Sequence, residues 1–189
     1  MRPLLLLITG APASGKTQLA GRLAARYEAL CCSKDEIKEL LFDTLGARDA
    51  EWSRQLSDAS FALLFSFASR LLSVQRLLIM EGNFRTTQHA APLAAVLSAA
   101  GAELAQILCR ADEACCAARL AARAADPRRH PGHRDQAFDS STRGTSDFID
   151  LPGPRWILRS DSGTDSDFAS LCRQIDAWYG AAQPRLSKQ

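Results

Sequence analysis

Short apolar runs alternate with longer stretches in which apolar residues recur every three or four positions. Leu4–Thr9 is a continuous apolar run of strand length, which marks a strand buried on both faces. From Lys16 to about Glu28 the spacing turns helical, with Leu19, Leu23 and Tyr27 on one face. Ala29–Cys32 reads as a second strand and Lys34–Leu45 as a helix with Ile37, Leu40 and Leu41 apolar, ended near Gly46. A long helix is expected over Ala50–Val74, with Trp52, Leu56, Leu63, Phe67 and Leu71 at helical spacing. A third strand follows at Leu77–Glu81, a helix at Thr87–Ala100 closed by Gly101, and a fourth strand at Glu103–Cys109. Asp112–Ala125 reads as a helix stopped before Asp126-Pro127. Arg155–Arg159 makes a fifth strand, and Asp165–Tyr179 the last helix.

Strands alternating with helices predict an α/β fold: one doubly wound, parallel, five-stranded sheet with helices on both faces. Residues 1–180 form the expected domain and 181–189 a flexible tail. Residues 126–147 carry charges, Ser and Gly without periodicity and read as a loop or lid. Ligands in such sheets bind beyond the carboxyl ends of the strands.

A length of 189 residues suits a single domain with its own core. The 23 Lys+Arg against 21 Asp+Glu leave a net charge of +2, which disfavours a protein held to nucleic acid by bulk charge. Leu4–Ile8 is far too short for a membrane span and breaks at once into a Gly-containing turn, unlike a signal peptide. The expectation is a cytosolic protein with no membrane partner. None of the six cysteines lies in a C-x-x-C pair, so they read as small, reduced core residues rather than zinc ligands.

The chemistry concentrates after the first strand. Gly10-Ala11-Pro12-Ala13-Ser14-Gly15-Lys16-Thr17 matches G-x-x-x-x-G-K-[ST], between an expected strand and an expected helix. Backbone N–H groups of such a loop converge on phosphate oxygens, and the helix that follows adds its positive end. Lys16 supplies charge for the β- and γ-phosphates, and Thr17 a hydroxyl for Mg²⁺. Asn83 is the single Asn, so no N-K-x-D guanine-reading motif exists. The size and strand count suit a small kinase that uses ATP and Mg²⁺.

The second strand runs into Ser33-Lys34-Asp35-Glu36-Ile37-Lys38. A carboxylate there, facing the phosphate loop, can accept a proton from an acceptor hydroxyl. Asp35 is the candidate base. As a first-turn acid it would otherwise serve only the helix dipole, and Glu36 reads as structural in that sense. After the third strand, Glu81 can meet a metal-bound water or the acceptor, and Asn83 an acceptor hydroxyl or simply a turn.

The loop GAPASGKT, the segment SKDEIKELL, EGNF after the third strand and the Arg-rich stretch after residue 118 together resemble one group of P-loop kinases. Its members include polynucleotide 5′-hydroxyl kinases, chloramphenicol phosphotransferase-like kinases and zeta-toxin-like kinases. The resemblance spans roughly residues 4–160 and implies the general-base role for Asp35. In the polynucleotide kinases a basic residue three positions later binds the acceptor. Lys38 stands there in place of Arg, without the bidentate fork. The group also seats adenine through backbone groups of the loop after the fifth strand, here Ser160–Thr164. From the residues alone, Thr164 or Asp165 simply caps the last helix.

Arg119 and Arg123 share a helix face, and Arg128, Arg129 and Arg134 follow. The spacing resembles the lid of the same kinases, within about residues 119–147, which closes over nucleotide and excludes water. Arg123 is the candidate for the transferring phosphate and Arg119 for the nucleotide. The alternative is a solvated basic face. His130 and His133 read as loop residues or anion contacts.

The expected function is transfer of the γ-phosphate of ATP to a hydroxyl of a small molecule such as a sugar, nucleoside or antibiotic. Lys16, Asp35 and Arg123 would be catalytic, residues 10–17 and Arg119 would hold nucleotide, Thr17 the metal, and Asp35, Lys38, Glu81 and Asn83 the acceptor. A polynucleotide 5′-hydroxyl kinase and a non-catalytic nucleotide-binding or toxin-type module are the alternatives. The apolar positions of residues 50–74 are either core or, in that last reading, a docking face.

Overall fold

The structure is a computed structural model that describes residues 2–132 and 147–182. The chain forms β1 (Leu4–Gly10), α1 (Lys16–Tyr27), β2 (Leu30–Ser33), α2 (Lys34–Leu45), α3 (Ala50–Leu71), β3 (Leu77–Glu81), α4 (Thr86–Ala100), β4 (Glu103–Arg110), α5 (Glu113–Ala124), β5 (Arg155–Arg159) and α6 (Asp165–Ala182). Every element expected from the pattern is present. Helix α6 runs to Ala182, into the stretch read as tail. The residues from 183 onward, His133, Arg134 and the rest of the lid segment up to 146 lie outside the described residues.

The five strands lie in the order β2-β3-β1-β4-β5, all parallel. Central β1 is buried along its whole length. Side chains alternate across a strand, so Leu4, Leu6 and Ile8 pack with Leu19, Leu23, Leu171 and Ile175 on the face covered by α1 and α6. Leu5 and Leu7 pack with Phe61, Leu64, Leu93 and Val96 on the face covered by α3 and α4. Burial on both faces explains why β1 reads as an unbroken apolar run. Among the described residues no helix is long and apolar enough to cross a membrane.

Two helical faces differ from expectation. The buried stripe of α3 is Leu56, Ser60, Phe61, Leu64, Phe65 and Ala68, while Leu63 and Phe67 turn outward. The helix carries two overlapping apolar stripes, and the one with adjacent aromatics at 61 and 65 fills the space over Leu5 and Leu7. Leu40 of α2 is likewise exposed, although its neighbours Ile37 and Leu41 are partly covered. The cysteines are free, with Cys109, Cys116 and Cys172 buried and Cys31, Cys32 and Cys115 half-buried. Burial pushes the Cys31 thiol up to about 12 and that of Cys109 up to about 11, so both are weakly reactive.

Two polar residues fix the frame of the site. Gln106, fully buried in β4, accepts from the Ile149 N–H at 2.8 Å and donates to the Ile149 and Leu151 carbonyls at 3.0 and 3.3 Å. It ties the segment before β5 to the sheet. Thr164 and Asp167 bond reciprocally at the start of α6, a capping box that confirms Thr164 as the cap.

His89 of α4 stacks on Phe61 with ring centroids 3.9 Å apart, beside Phe65 and Phe84. Its Nδ1 accepts the Arg85 N–H at 2.8 Å. Burial, aided by Arg85, lowers its pKa from 6.5 to about 4. The folded protein therefore holds a neutral ring that the unfolded chain protonates below pH 6.5, so this contribution to stability is complete above 6.5 and fades as pH falls towards 4. The expected loss between pH 7 and 4.5 is about 2 to 3 kcal/mol. Thermal melts of wild type and His89→Asn check it. Asn keeps an acceptor for Arg85, and the variant should show a visibly flatter fall with acid; parallel curves would refute the assignment.

Candidate active site

The residues between β1 and α1 form a tight loop whose backbone only small residues permit. Gly10 and Gly15 have φ of +150° and +91°, and Ala13 adopts the left-handed region at 59°. A Cβ on Gly10 would sit 2.3 Å from the Cys109 carbonyl oxygen, and one on Gly15 would press on Ser160 at 3.0 Å. The loop is thus wedged between the ends of β4 and β5. Cys109 Sγ donates to the Ser14 carbonyl at 2.9 Å. Arg119 of α5 donates to the Ala13 carbonyl at 3.1 Å, to Ser160 Oγ at 2.8 Å and to the Ser160 carbonyl at 2.9 Å. One guanidinium therefore clamps the phosphate loop to the loop after β5.

Ser14 Oγ is buried and, among the described residues, has no hydrogen-bond partner. A buried hydroxyl without a partner is costly unless a ligand supplies one. Lys16 is only 8% exposed, and its Nζ donates to the Ala11 carbonyl at 2.8 Å. Burial lowers its pKa below 10.5, while Glu81 and Asp35 pull it back up.

Glu81 stands at the end of β3, between β1 and β2 in the sheet. Its Oε2 accepts from Thr17 Oγ1 at 3.3 Å and from Ser33 Oγ at 2.9 Å. Ser33 precedes α2 in the capping position, makes no side-chain cap, and donates its hydroxyl to Glu81. Burial raises the Glu81 pKa, against the opposing pull of Lys16. The ends of β2 and β3 and the start of α1 thus gather Thr17, Ser33 and Glu81 at one point beside Lys16.

A cleft of about 280 Å³ opens from this point. Pro12, Ala13, Gly15, Lys16 and Thr17 form one wall. Lys34, Asp35, Lys38 and Asn83 line it from the β2 and β3 side, and Leu120, Arg123 and Arg129 from the α5 side. Asp35, Lys38, Glu81, Asn83 and Arg123, named from sequence, are brought together here. Asp35 is half-exposed and pairs with Lys34 at 3.2 Å, and Lys38 donates to Ser53 Oγ at 3.0 Å. Arg129 is one of the arginines of the expected lid, whereas Lys34 carries no signal in the sequence. Lys34 sits in the turn from β2 into α2, where it passes for a helix-opening residue, and only its 5% exposure sets it apart. Arg128, by contrast, pairs with Asp126 away from the cleft. His130 is a docking residue: Nε2 lies 2.9 Å from Asp43 Oδ1 of α2, and the ring meets Phe42 edge-on at 5.4 Å.

The sequence profile of the AAA domain family matches residues 5–143. Among solved structures, a proposed kinase from Chloroflexus aurantiacus j-10-fl is 31% identical with a TM-score of 0.84, over 92% of this chain and 98% of that one. A gluconokinase from Sinorhizobium meliloti 1021 is 14% identical with a TM-score of 0.56, over 97% of this chain and all of that one. A sugar kinase from a Janibacter species is 12% identical with a TM-score of 0.58, over 96% of this chain and 99% of that one. The last two share the fold alone. No curated protein matches the chain by sequence.

Proposed function

The chain belongs to the AAA domain family, and from that premise we propose that it is a kinase which moves the γ-phosphate of ATP to a hydroxyl of a small molecule. One observation carries the reading. A single cleft has a phosphate-binding loop with Lys16 on one wall and a carboxylate, Asp35, on the other. Phosphoryl transfer to a hydroxyl needs those two groups on opposite sides of the reacting phosphorus.

The residues present fit a nucleotide with Mg²⁺. The partnerless Ser14 hydroxyl and the left-handed loop suit phosphate oxygens, and the Thr17 and Glu81 oxygens, 3.3 Å apart, suit a hydrated divalent cation. When bound, Mg²⁺ neutralises charge on the β- and γ-phosphates. Lys16 leaves the Ala11 carbonyl for the phosphate oxygens. Asp35 takes the proton of the acceptor hydroxyl as its oxygen bonds to the γ-phosphorus and the bond to the bridging oxygen of ADP breaks. Arg123 and Arg129 enter from the α5 side, where an arginine lid would stabilise the charge on the transferring group. Arg119 holds the loop in shape, and with Ser160 it borders the side on which the base would lie.

ADP release measured across sugars, sugar acids, nucleosides, aminoglycosides, chloramphenicol and 5′-hydroxyl oligonucleotides tests the reading. An acceptor that raises turnover well above hydrolysis of ATP by water supports it. ATP binding with no hydrolysis and no acceptor-dependent turnover would favour a non-catalytic nucleotide-binding module. The basic residues at the acceptor end keep a polynucleotide 5′-hydroxyl acceptor as the second reading. Counterion release would then make binding fall steeply with salt.

Glu81→Gln separates stability from activity. The amide has the same shape and avoids burying a charge, so the melting temperature should hold within a few degrees or rise. Turnover should fall about tenfold to a hundredfold, with a higher Mg²⁺ requirement. A Mg²⁺ titration beside a thermal melt checks both. An unchanged Mg²⁺ dependence would remove Glu81 from the metal side of the site.

A further inference from the structure

Basic side chains line the cleft on the β2 side as well as on the α5 side. Five cations line it, Lys16, Lys34, Lys38, Arg123 and Arg129, against the two carboxylates Asp35 and Glu81. ATP with one Mg²⁺ carries about two negative charges and sits against Lys16 and the α5 arginines. At the β2 end of the cleft Lys34 and Lys38 flank Asp35 one helical turn apart.

Lys34 is the informative residue. It is 5% exposed, yet it lines the cleft. An ammonium has three donors, and among the described residues Lys34 makes one hydrogen bond, to Asp35 Oδ1 at 3.2 Å. Its other neighbour is the face of Phe61, 5.7 Å from Nζ to the ring centroid. The position is built rather than incidental. A Cβ on Gly82 would lie 3.2 Å from Lys34 Cβ, so the glycine after β3 leaves the space that the lysine crosses. Burying an ammonium with unfilled donors is costly, and a ligand anion in the cleft would fill them. The pairing with Lys34 also occupies Asp35 Oδ1, an oxygen that a base would offer to the acceptor. An anion that draws the ammonium aside would free that carboxylate as the acceptor arrives.

We propose that the acceptor is a small hydroxylated anion, carrying a carboxylate or a phosphate monoester beside its reacting hydroxyl, and that Lys34 with Lys38 binds that group. The inference rests on the kinase reading above and names the substrate class for the same site. Paired acceptors test it: sugars against the corresponding sugar acids and sugar phosphates, and nucleosides against their 3′-monophosphates, with 5′-hydroxyl oligonucleotides as a separate arm. The anionic member of a pair should have kcat/KM higher by about thirtyfold or more, the worth of one charge-assisted hydrogen bond. Lys34→Gln should shrink that preference to about threefold or less, mainly by raising KM for the anion, and Lys34→Arg should restore part of it. Melting curves of both variants show whether the fold survives, and unimpaired use of a neutral acceptor marks an intact catalytic site. Equal use of neutral and anionic partners, or a preference that Lys34→Gln leaves intact, would overturn the anion site and leave the kinase reading standing. Activity confined to oligonucleotides would replace the small anion by a nucleic acid. Silence towards every acceptor, with ATP bound, would count against both readings.

Discussion

Replacing Lys16 with Met should lower acceptor-dependent turnover about a thousandfold while leaving the protein folded. The side chain is buried, and its ammonium is held against the Ala11 carbonyl at 2.8 Å with Glu81 and Asp35 nearby. Desolvation already works against its charge, as the lowered pKa shows. Such a group is retained for what it does to a ligand, since its removal should relieve the fold. Met fills a similar volume without a charge, so the melting temperature should stay level or rise. Binding of ATP should weaken far less than turnover, because the loop backbone and the dipole of α1 still receive the phosphates. The difference is the part of the Lys16 interaction that strengthens as charge moves from the γ-phosphate to the leaving ADP. Coupled ADP release and equilibrium ATP binding on one preparation give the two numbers. Turnover within tenfold of wild type would show that Lys16 does not face the transferred group. A parallel collapse of the melting temperature would mean instead that the ammonium is structural.

Those expectations draw on features of unequal visibility in the sequence. The sheet was legible because burial on both faces leaves an unbroken apolar run in β1 and β3, and because α1 and α6 carry one clear apolar stripe each. The α3 surface was misjudged because Leu63 and Phe67 share the helical period of the true inner stripe and differ only in phase. Pattern alone gives the period of a helix. The phase is set by what it packs on, here Leu5 and Leu7 of β1. At the site, the phosphate loop was legible because its chemistry lies within eight consecutive residues. Lys34 was not, since its burial depends on Gly82, far away in sequence and next to it only through the pairing of β2 with β3. Ser33 was equally silent: its place before α2 suggests a cap, and nothing in the sequence links its hydroxyl to Glu81. Arg119 was marked by its spacing from Arg123, but spacing does not tell which of two arginines lines a cleft and which bonds the phosphate-loop backbone.

Asp35→Asn should lower acceptor-dependent turnover by about a hundredfold to ten-thousandfold, the usual worth of a general base. It should leave the slow hydrolysis of ATP by water within a few-fold of wild type. On the proposed mechanism the two reactions would share Lys16, Thr17 and the metal, and would differ in the proton that must leave the attacking oxygen. A residue that acts only on that proton from a positioned acceptor affects one reaction, whereas a residue that holds nucleotide affects both. The geometry favours the selective outcome. Asp35 is half-exposed on the β2 side of the cleft, across from the phosphate loop, and pairs with Lys34. Asn keeps a similar shape and can still accept a hydrogen bond from Lys34, so neither α2 nor the loop should move. Its cost lies in removing the negative charge beside Lys34, which would leave that ammonium less well compensated. Asp35→Glu helps to separate the effects: it restores the charge but misplaces the oxygen, and it should recover stability without recovering most of the rate. Single-turnover rates with and without acceptor, set beside the melting temperatures of the three proteins, decide the matter. Equal losses in both reactions would assign Asp35 to the nucleotide. Full acceptor turnover in Asp35→Asn would end its candidacy as the base and turn attention to the remaining carboxylate of the cleft, Glu81.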